Sequence, residues 1–204
     1  MAMTVTYKIG SSIYVNLTNR CSNRCEFCIR GNGDSVGGSA SLWLDREPTV
    51  EEAVQALREN APRGDAPGCR EIVFCGYGEP TERLGDLLEI CRRVKPLGLP
   101  VRINTNGQAD LIHGRATAPE LKGLVDTVSI SLNAPDSAKY DRLCHSEYGE
   151  KAFSVLLDYA KSCKAYVPHV VLSVVDVMAK DEIEACRALA ENLGVEFRVR
   201  ELIQ

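Results

Sequence analysis

Short β-rich apolar runs alternate with helix-patterned stretches along the 204 residues of this chain, and this alternation constrains the fold more than any other feature. The runs at 13–17, 71–74, 101–104, 125–132, 170–177 and 195–202 predict six strands. Thr49 and Glu52 have capping-box spacing, and Val50, Ala53, Val54 and Leu57 follow as a helical stripe. Further helices are predicted over 84–94, stopped by Pro96 and Gly98, and over 153–163. Asp181 and Glu184 repeat the capping spacing ahead of a helix that ends at Gly194. Strands and helices alternating at this interval build a parallel sheet with crossover helices. Six strands are too few for the closed eight-stranded barrel. The expected fold is therefore α/β: an open, curved, partial (β/α)6 barrel forming one domain over residues 1–204. A flat doubly wound sheet fits the same pattern, and in both the working residues sit at the carboxyl ends of the strands.

Hydrophobic residues make up 45% of the chain and charged residues 25%, a globular balance that sets aside disordered and fibrous classes. The formal net charge of −4 offers no overall basic field, which argues against nucleic acid as the main partner. No run reaches the roughly 18 apolar residues of a membrane span. The opening Met1-Ala2-Met3-Thr4-Val5-Thr6-Tyr7-Lys8 lacks the charged-then-apolar pattern of an export signal, so the expectation is a cytoplasmic protein. In that setting nine cysteines are read as thiols or metal ligands, and an odd number cannot pair completely.

The densest chemical signal is Cys21-Ser22-Asn23-Arg24-Cys25-Glu26-Phe27-Cys28, three thiols in eight residues just past the first predicted strand. Thiolates are the usual ligands of iron–sulfur clusters. Three ligands for four irons leave one iron open, as catalytic metal sites require. The spacing also admits a structural zinc ion completed by Cys69, Cys75 or His113. A glycine-rich loop at 31–39 follows directly, and 63–68 reads as a surface turn.

Other segments at strand ends have polar or glycine-rich character. After the second strand, Cys75-Gly76-Tyr77-Gly78-Glu79-Pro80-Thr81 puts two glycines beside a carboxylate. Gly76 and Gly78 let backbone approach a ligand, and Glu79 can accept from an ammonium group; a plain turn into a helix uses the same residues. Asn104-Thr105-Asn106-Gly107 ends the third strand and contains a common turn pair. In the fourth, Ser129, Ser131 and Asn133 share one face of a strand expected to be apolar on both, so they need partners or pack as small polar residues. Arg198 and Arg200 share a face of the sixth, toward solvent or a substrate carboxylate. Cys91, Cys163 and Cys186 read as small core residues; Cys75 stands out by its place at a strand end. His113, His145 and His169 form no ligand spacing.

Cys-x3-Cys-x2-Cys after a first strand, with later motifs in order along nearly the whole chain, resembles the radical S-adenosylmethionine superfamily. The resemblance implies a [4Fe–4S] cluster on Cys21, Cys25 and Cys28, and Phe27 near the adenine of S-adenosylmethionine. It implies that Tyr77-Gly78-Glu79-Pro80 corresponds to the superfamily's Gly-Gly-Glu-Pro segment, that Thr105 and Asn106 line the cofactor pocket, and that Ser129, Ser131 and Asn133 meet the ribose or the methionyl carboxylate. The implied reaction is reductive cleavage of S-adenosylmethionine to a 5′-deoxyadenosyl radical, fed by a donor such as flavodoxin or ferredoxin, with hydrogen abstraction from a small-molecule or protein substrate. An activase acting on a partner protein fits as well, and a zinc-bound interaction module is the non-enzymatic alternative. Short length, the Tyr-Gly-Glu-Pro-Thr variant and Leu42-Trp43-Leu44 ahead of Glu47-Pro48 resemble the TatD-associated group within the superfamily.

Overall fold

Side chains alternate across a strand, so Ile13 and Val15, Ile72 and Phe74, Ile103, and Val128 and Ile130 turn to the same side of the sheet. All are buried there against the helices in one continuous core. In the computed structural model, which describes residues 3–31, 38–60 and 69–201, these strands form one curved sheet ordered β1-β2-β3-β4-β5-β6-β7. The strands are β1 (Thr6–Ile9), β2 (Ser12–Val15), β3 (Glu71–Phe74), β4 (Val101–Thr105), β5 (Thr127–Ser131), β6 (His169–Val175) and β7 (Glu196–Arg200). From β2 to β7 every neighbour is parallel. The predicted six-strand parallel frame is therefore present, and it is curved.

The seventh strand is the difference. β1 pairs antiparallel with β2, Tyr7 opposite Tyr14, through a tight turn in which Gly10 has φ of 57°. Four residues alternating around one buried tyrosine give too little apolar periodicity to announce a strand, and the hairpin partner supplies the rest.

The helices are α1 (Val50–Asn60), α2 (Leu84–Val94), α3 (Ala109–His113), α4 (Ser137–Cys144), α5 (Lys151–Cys163) and α6 (Lys180–Leu193). The Thr49–Glu52 capping box forms as predicted: the Glu52 amide donates to Thr49 Oγ1 at 3.2 Å and the Thr49 amide to Glu52 Oε2 at 2.8 Å. The cap of α6 sits two residues earlier than Asp181 and Glu184 suggest, because Glu182 Oε2 accepts from the Ala179 amide at 3.2 Å. The sequence pattern did not single out α4, capped by Asp136 accepting from the Lys139 amide at 2.8 Å, nor the short α3. The turn expected at 63–68 and most of the loop expected at 31–39 lie outside the described residues.

The concave face of the sheet lies opposite the helices. It carries Tyr14, Arg102, Asn104, Ser129, Ser173 and Arg198, following the strand registers. The sheet is thus apolar on its helix side, while the concave side carries these polar groups beside Val73 and Val171.

Candidate functional site

The three clustered cysteines fall in the loop after β2, at the carboxyl edge of the sheet. Each is half-buried and none is in a disulfide. The Arg24 and Glu26 amides donate to the carbonyls of Cys144 (2.9 Å) and Leu143 (3.0 Å), docking the loop on the last turn of α4. The Cys25 thiol meets the Cys144 thiol, whose hydrogen bond holds the Cys25 pKa below its usual value against the opposing effect of burial. Burial, followed by the nearby Glu79 carboxylate, pushes the Cys21 thiol up to about 12.

Beneath the loop lies a polar network the sequence did not single out. Gln108 Nε2 donates to Asn23 Oδ1 (2.8 Å) and to the Tyr140 hydroxyl (3.0 Å), while its Oε1 accepts from Ser22 (2.9 Å) and Ser146 (3.0 Å). Asn106 Nδ2 donates to Ser22 Oγ at 2.8 Å, and Asn23 Nδ2 to the Tyr140 hydroxyl at 3.0 Å. Gln108, Ser22, Asn23 and Tyr140 are buried, so every lost partner there carries a desolvation penalty. For three of them the only signal in the sequence is position, Ser22 and Asn23 inside the cysteine motif and Gln108 just after Asn106-Gly107; Tyr140 has none.

Glu79 is 4% exposed and fully engaged by its own chain. Oε1 accepts from the Thr81 amide (3.0 Å), Thr81 Oγ1 (2.7 Å) and Thr105 Oγ1 (2.8 Å); Oε2 accepts from the Asn106 amide (2.7 Å). Burial raises its pKa, and these donors pull the other way. The carboxylate ties the β3 loop to the end of β4 and also caps the turn at Pro80–Arg83. Thr105 and Asn106 therefore meet Glu79 directly. The glycines have a second use: a Cβ at Gly76 would strike Asn16, and one at Gly78 the carbonyls of Thr18 and Arg20. The close approach they permit is between the β3 loop and the start of the cysteine loop, sealed by Glu79 N to Arg20 O at 2.8 Å.

At the end of β5, Ser129 is buried and Ser131 half-buried on the concave face, opposite Asn104 and Ser173 respectively. Asn133 is buried with φ of 54°, and its Oδ1 has no hydrogen-bond partner among the described residues. A left-handed asparagine at this strand end with an orphaned acceptor is a place where a ligand donor is wanted. Phe27 is half-buried and packs on the main core. Cys75 is half-buried just past the end of β3, and burial raises its pKa. Cys91, Cys163 and Cys186 are buried core thiols. The histidines stand apart: His113 Nε2 meets Thr81 O at 2.8 Å, while His145 and His169 face Glu26 and Glu196.

The family model described as the Radical SAM superfamily matches residues 15–193. The chain belongs to the radical SAM superfamily. It is 36% identical to a probable GTP 3′,8-cyclase of Methanocella arvoryzae over 130 residues, covering 64% of this chain and 36% of that one. It is 27% identical over 195 residues to the tungsten-containing aldehyde ferredoxin oxidoreductase cofactor-modifying protein of Pyrococcus furiosus, covering 90% of this chain and 49% of the relative. Among solved structures, Streptococcus suis SuiB bound to its precursor peptide SuiA superposes with a TM-score of 0.66 at 15% identity, over 97% of this chain and 40% of SuiB. A radical SAM methyltransferase from Sphaerobacter thermophilus gives a TM-score of 0.62 at 17% identity, over 96% and 57%. This radical SAM chain thus spans less than half the length of those two relatives, and the two structures share its fold.

Superfamily cofactors are a [4Fe–4S] cluster and S-adenosylmethionine, and the donor set fits both. Among the described residues no three His, Cys, Asp or Glu close on one point as a single ion demands. A cube of four irons is wider than one ion and takes its thiolates from further apart, which suits one irregular loop carrying three free thiols. The orphaned Asn133 Oδ1 suits the amino or hydroxyl donors of S-adenosylmethionine.

Proposed function

We propose that this protein is a radical SAM enzyme in which Cys21, Cys25 and Cys28 hold the cluster and the rims of β3, β4 and β5 hold S-adenosylmethionine. The observation that carries this reading is the cysteine loop itself, docked at the carboxyl edge of the sheet and braced by Gln108. When bound, the reduced cluster supplies the electron that cleaves the sulfonium to a 5′-deoxyadenosyl radical. The chain's residues position and shield. Gln108 and Tyr140 hold the loop, Glu79 clamps the β3 and β4 ends together, and Asn133 offers an acceptor to the ligand. Phe27, Gly76, Gly78, Thr105, Asn106, Ser129 and Ser131 complete the proposed pocket.

The substrate meets the radical inside the polar chamber, and a cytoplasmic reductant such as flavodoxin or ferredoxin feeds the cluster. A small molecule is the first reading. A partner protein, as for an activase, is the second, favoured by β7, which pairs with β6 alone and leaves its outer edge open among the described residues. Membership of the TatD-associated group rests on Leu42-Trp43-Leu44 and Tyr77-Gly78-Glu79-Pro80. Those two features touch, with the Trp43 and Tyr77 rings edge to face at 5.1 Å.

The test is anaerobic reconstitution. Bound iron and sulfide near four of each per chain, as one cubane implies, and 5′-deoxyadenosine released from S-adenosylmethionine with dithionite, are expected. Cys21→Ala, Cys25→Ala and Cys28→Ala should each abolish the iron, while Cys91→Ala and Cys186→Ala keep it. One zinc without sulfide, or no 5′-deoxyadenosine, overturns the reading.

A further inference from the structure

The concave face carries more positive charge than its own carboxylates neutralise. Arg102 is accounted for: its Nη2 and Nε meet Glu71 at 2.7 and 3.1 Å. Arg200 is not. It stands at the carboxyl end of β7, half-buried, with Nη2 donating to Ser131 Oγ at 3.3 Å. Its Nε is buried and has no hydrogen-bond partner among the described residues. Arg198, two residues earlier on the same face and opposite Ser173, is exposed. Among the described residues neither arginine forms an ion pair, although surface arginines elsewhere in the chain find carboxylates.

A guanidinium drawn out of water with an unsatisfied N–H is costly unless something on the same side completes it. Its planar fork matches the two oxygens of a carboxylate or phosphate. The Nε is one tine of such a fork with no acceptor among the described residues, and Ser131 ties the guanidinium to the strand end where the Asn133 Oδ1 likewise has no donor. An anion held there would sit inside the chamber and across it from the cysteine loop's rim.

We propose that Arg200, with Arg198 beside it, anchors an oxyanion of the substrate, so that this barrel acts on a small molecule carrying a carboxylate or phosphate. The inference rests on the reading of the barrel as a substrate chamber, but its test does not use radical chemistry. Inorganic phosphate and benzoate are titrated separately, by calorimetry in chloride-free buffer, into the anaerobically reconstituted protein. Saturable binding of one equivalent of either anion is expected; which one binds tells phosphate from carboxylate. Arg200→Gln should weaken it about tenfold to a hundredfold, the weight of one charged hydrogen-bonding group. Arg200→Lys, which keeps charge but loses the fork, should fall between the two, and the exposed helical Arg92→Gln should bind as wild type. Circular dichroism of each variant reports whether it has folded. No saturable binding of either anion to the wild type, or equal binding in folded Arg200→Gln and wild type, overturns the proposal. Release of 5′-deoxyadenosine is measured apart from this, so a chain that binds the anion without cleaving S-adenosylmethionine refutes the enzymatic reading and leaves the anion site standing.

Discussion

Glu79 shows how one buried charge does two jobs. Its two oxygens receive three backbone or hydroxyl donors on one side and the Asn106 amide on the other, so replacing either oxygen by an amide nitrogen sets donor against donor. Glu79→Gln is therefore expected to lose about 1.5–3 kcal/mol of stability, read as a lower unfolding midpoint in urea. S-adenosylmethionine should also bind more weakly, followed through the EPR signal of the reduced cluster, because the clamp that holds the β3 and β4 rims together is loosened. An unchanged midpoint would remove the clamp role, and unchanged affinity with a shifted midpoint would leave Glu79 purely structural. From the sequence the carboxylate was visible beside its glycines. That Thr105 and Asn106 join Thr81 in occupying it was not, because they lie at the end of β4, 26 and 27 residues on.

Among the elements, the loop after β2 depends on residues it does not contain. Gln108 sits just before α3 and satisfies four polar groups of the cysteine loop, α4 and the segment after it. Gln108→Leu fits the volume but strands those groups, each at about 1–3 kcal/mol when buried. The expected outcome is iron lost on gel filtration of the reconstituted protein, with the fold retained by circular dichroism. Full iron retention would show that the loop holds itself. A second contact spans β2, β3 and β4, where Glu71 joins Ser12 and Arg102. Burial raises the Glu71 pKa, but the Arg102 and Ser12 hydrogen bonds outweigh it and leave it below the ordinary 4.5. A carboxyl depressed on folding stabilises above its unfolded value, and that contribution is lost as pH falls through the folded one. Thermal melts should therefore fall more steeply with pH below about 4.5 in wild type than in Glu71→Gln. Parallel curves for the two would show that the contact contributes nothing to acid stability.

Across the molecule, stability should follow the sheet order. β3, β4 and β5 are paired on both sides, whereas β1 and β7 are paired on one. The outer face of β7 is also thinly covered, Val199 being 39% exposed. Hydrogen exchange is expected to open β7 and β1 first and β5 last, since edge amides escape by local opening and central ones only by global unfolding. Protection at 196–200 equal to that at 127–131 would mean that β7 is covered in solution.

The sequence by itself determined what repeats along the chain: the alternation that makes a parallel sheet, the Thr49–Glu52 cap, and three thiols close enough to share one loop. Those depend on neighbours a few residues apart, where spacing is geometry. It also marked Ser129, Ser131 and Asn133 as polar where apolar was due. Only the tertiary structure decided which residues brace the cysteines, which donors fill Glu79, and which half-buried arginine is left without a carboxylate among the described residues. Gln108 reaches Ser22 across 86 positions and Arg200 reaches Ser131 across 69. Hydrogen bonds over such separations leave no periodic trace in the chain; they exist because the curved sheet brings its strand ends and rim loops together.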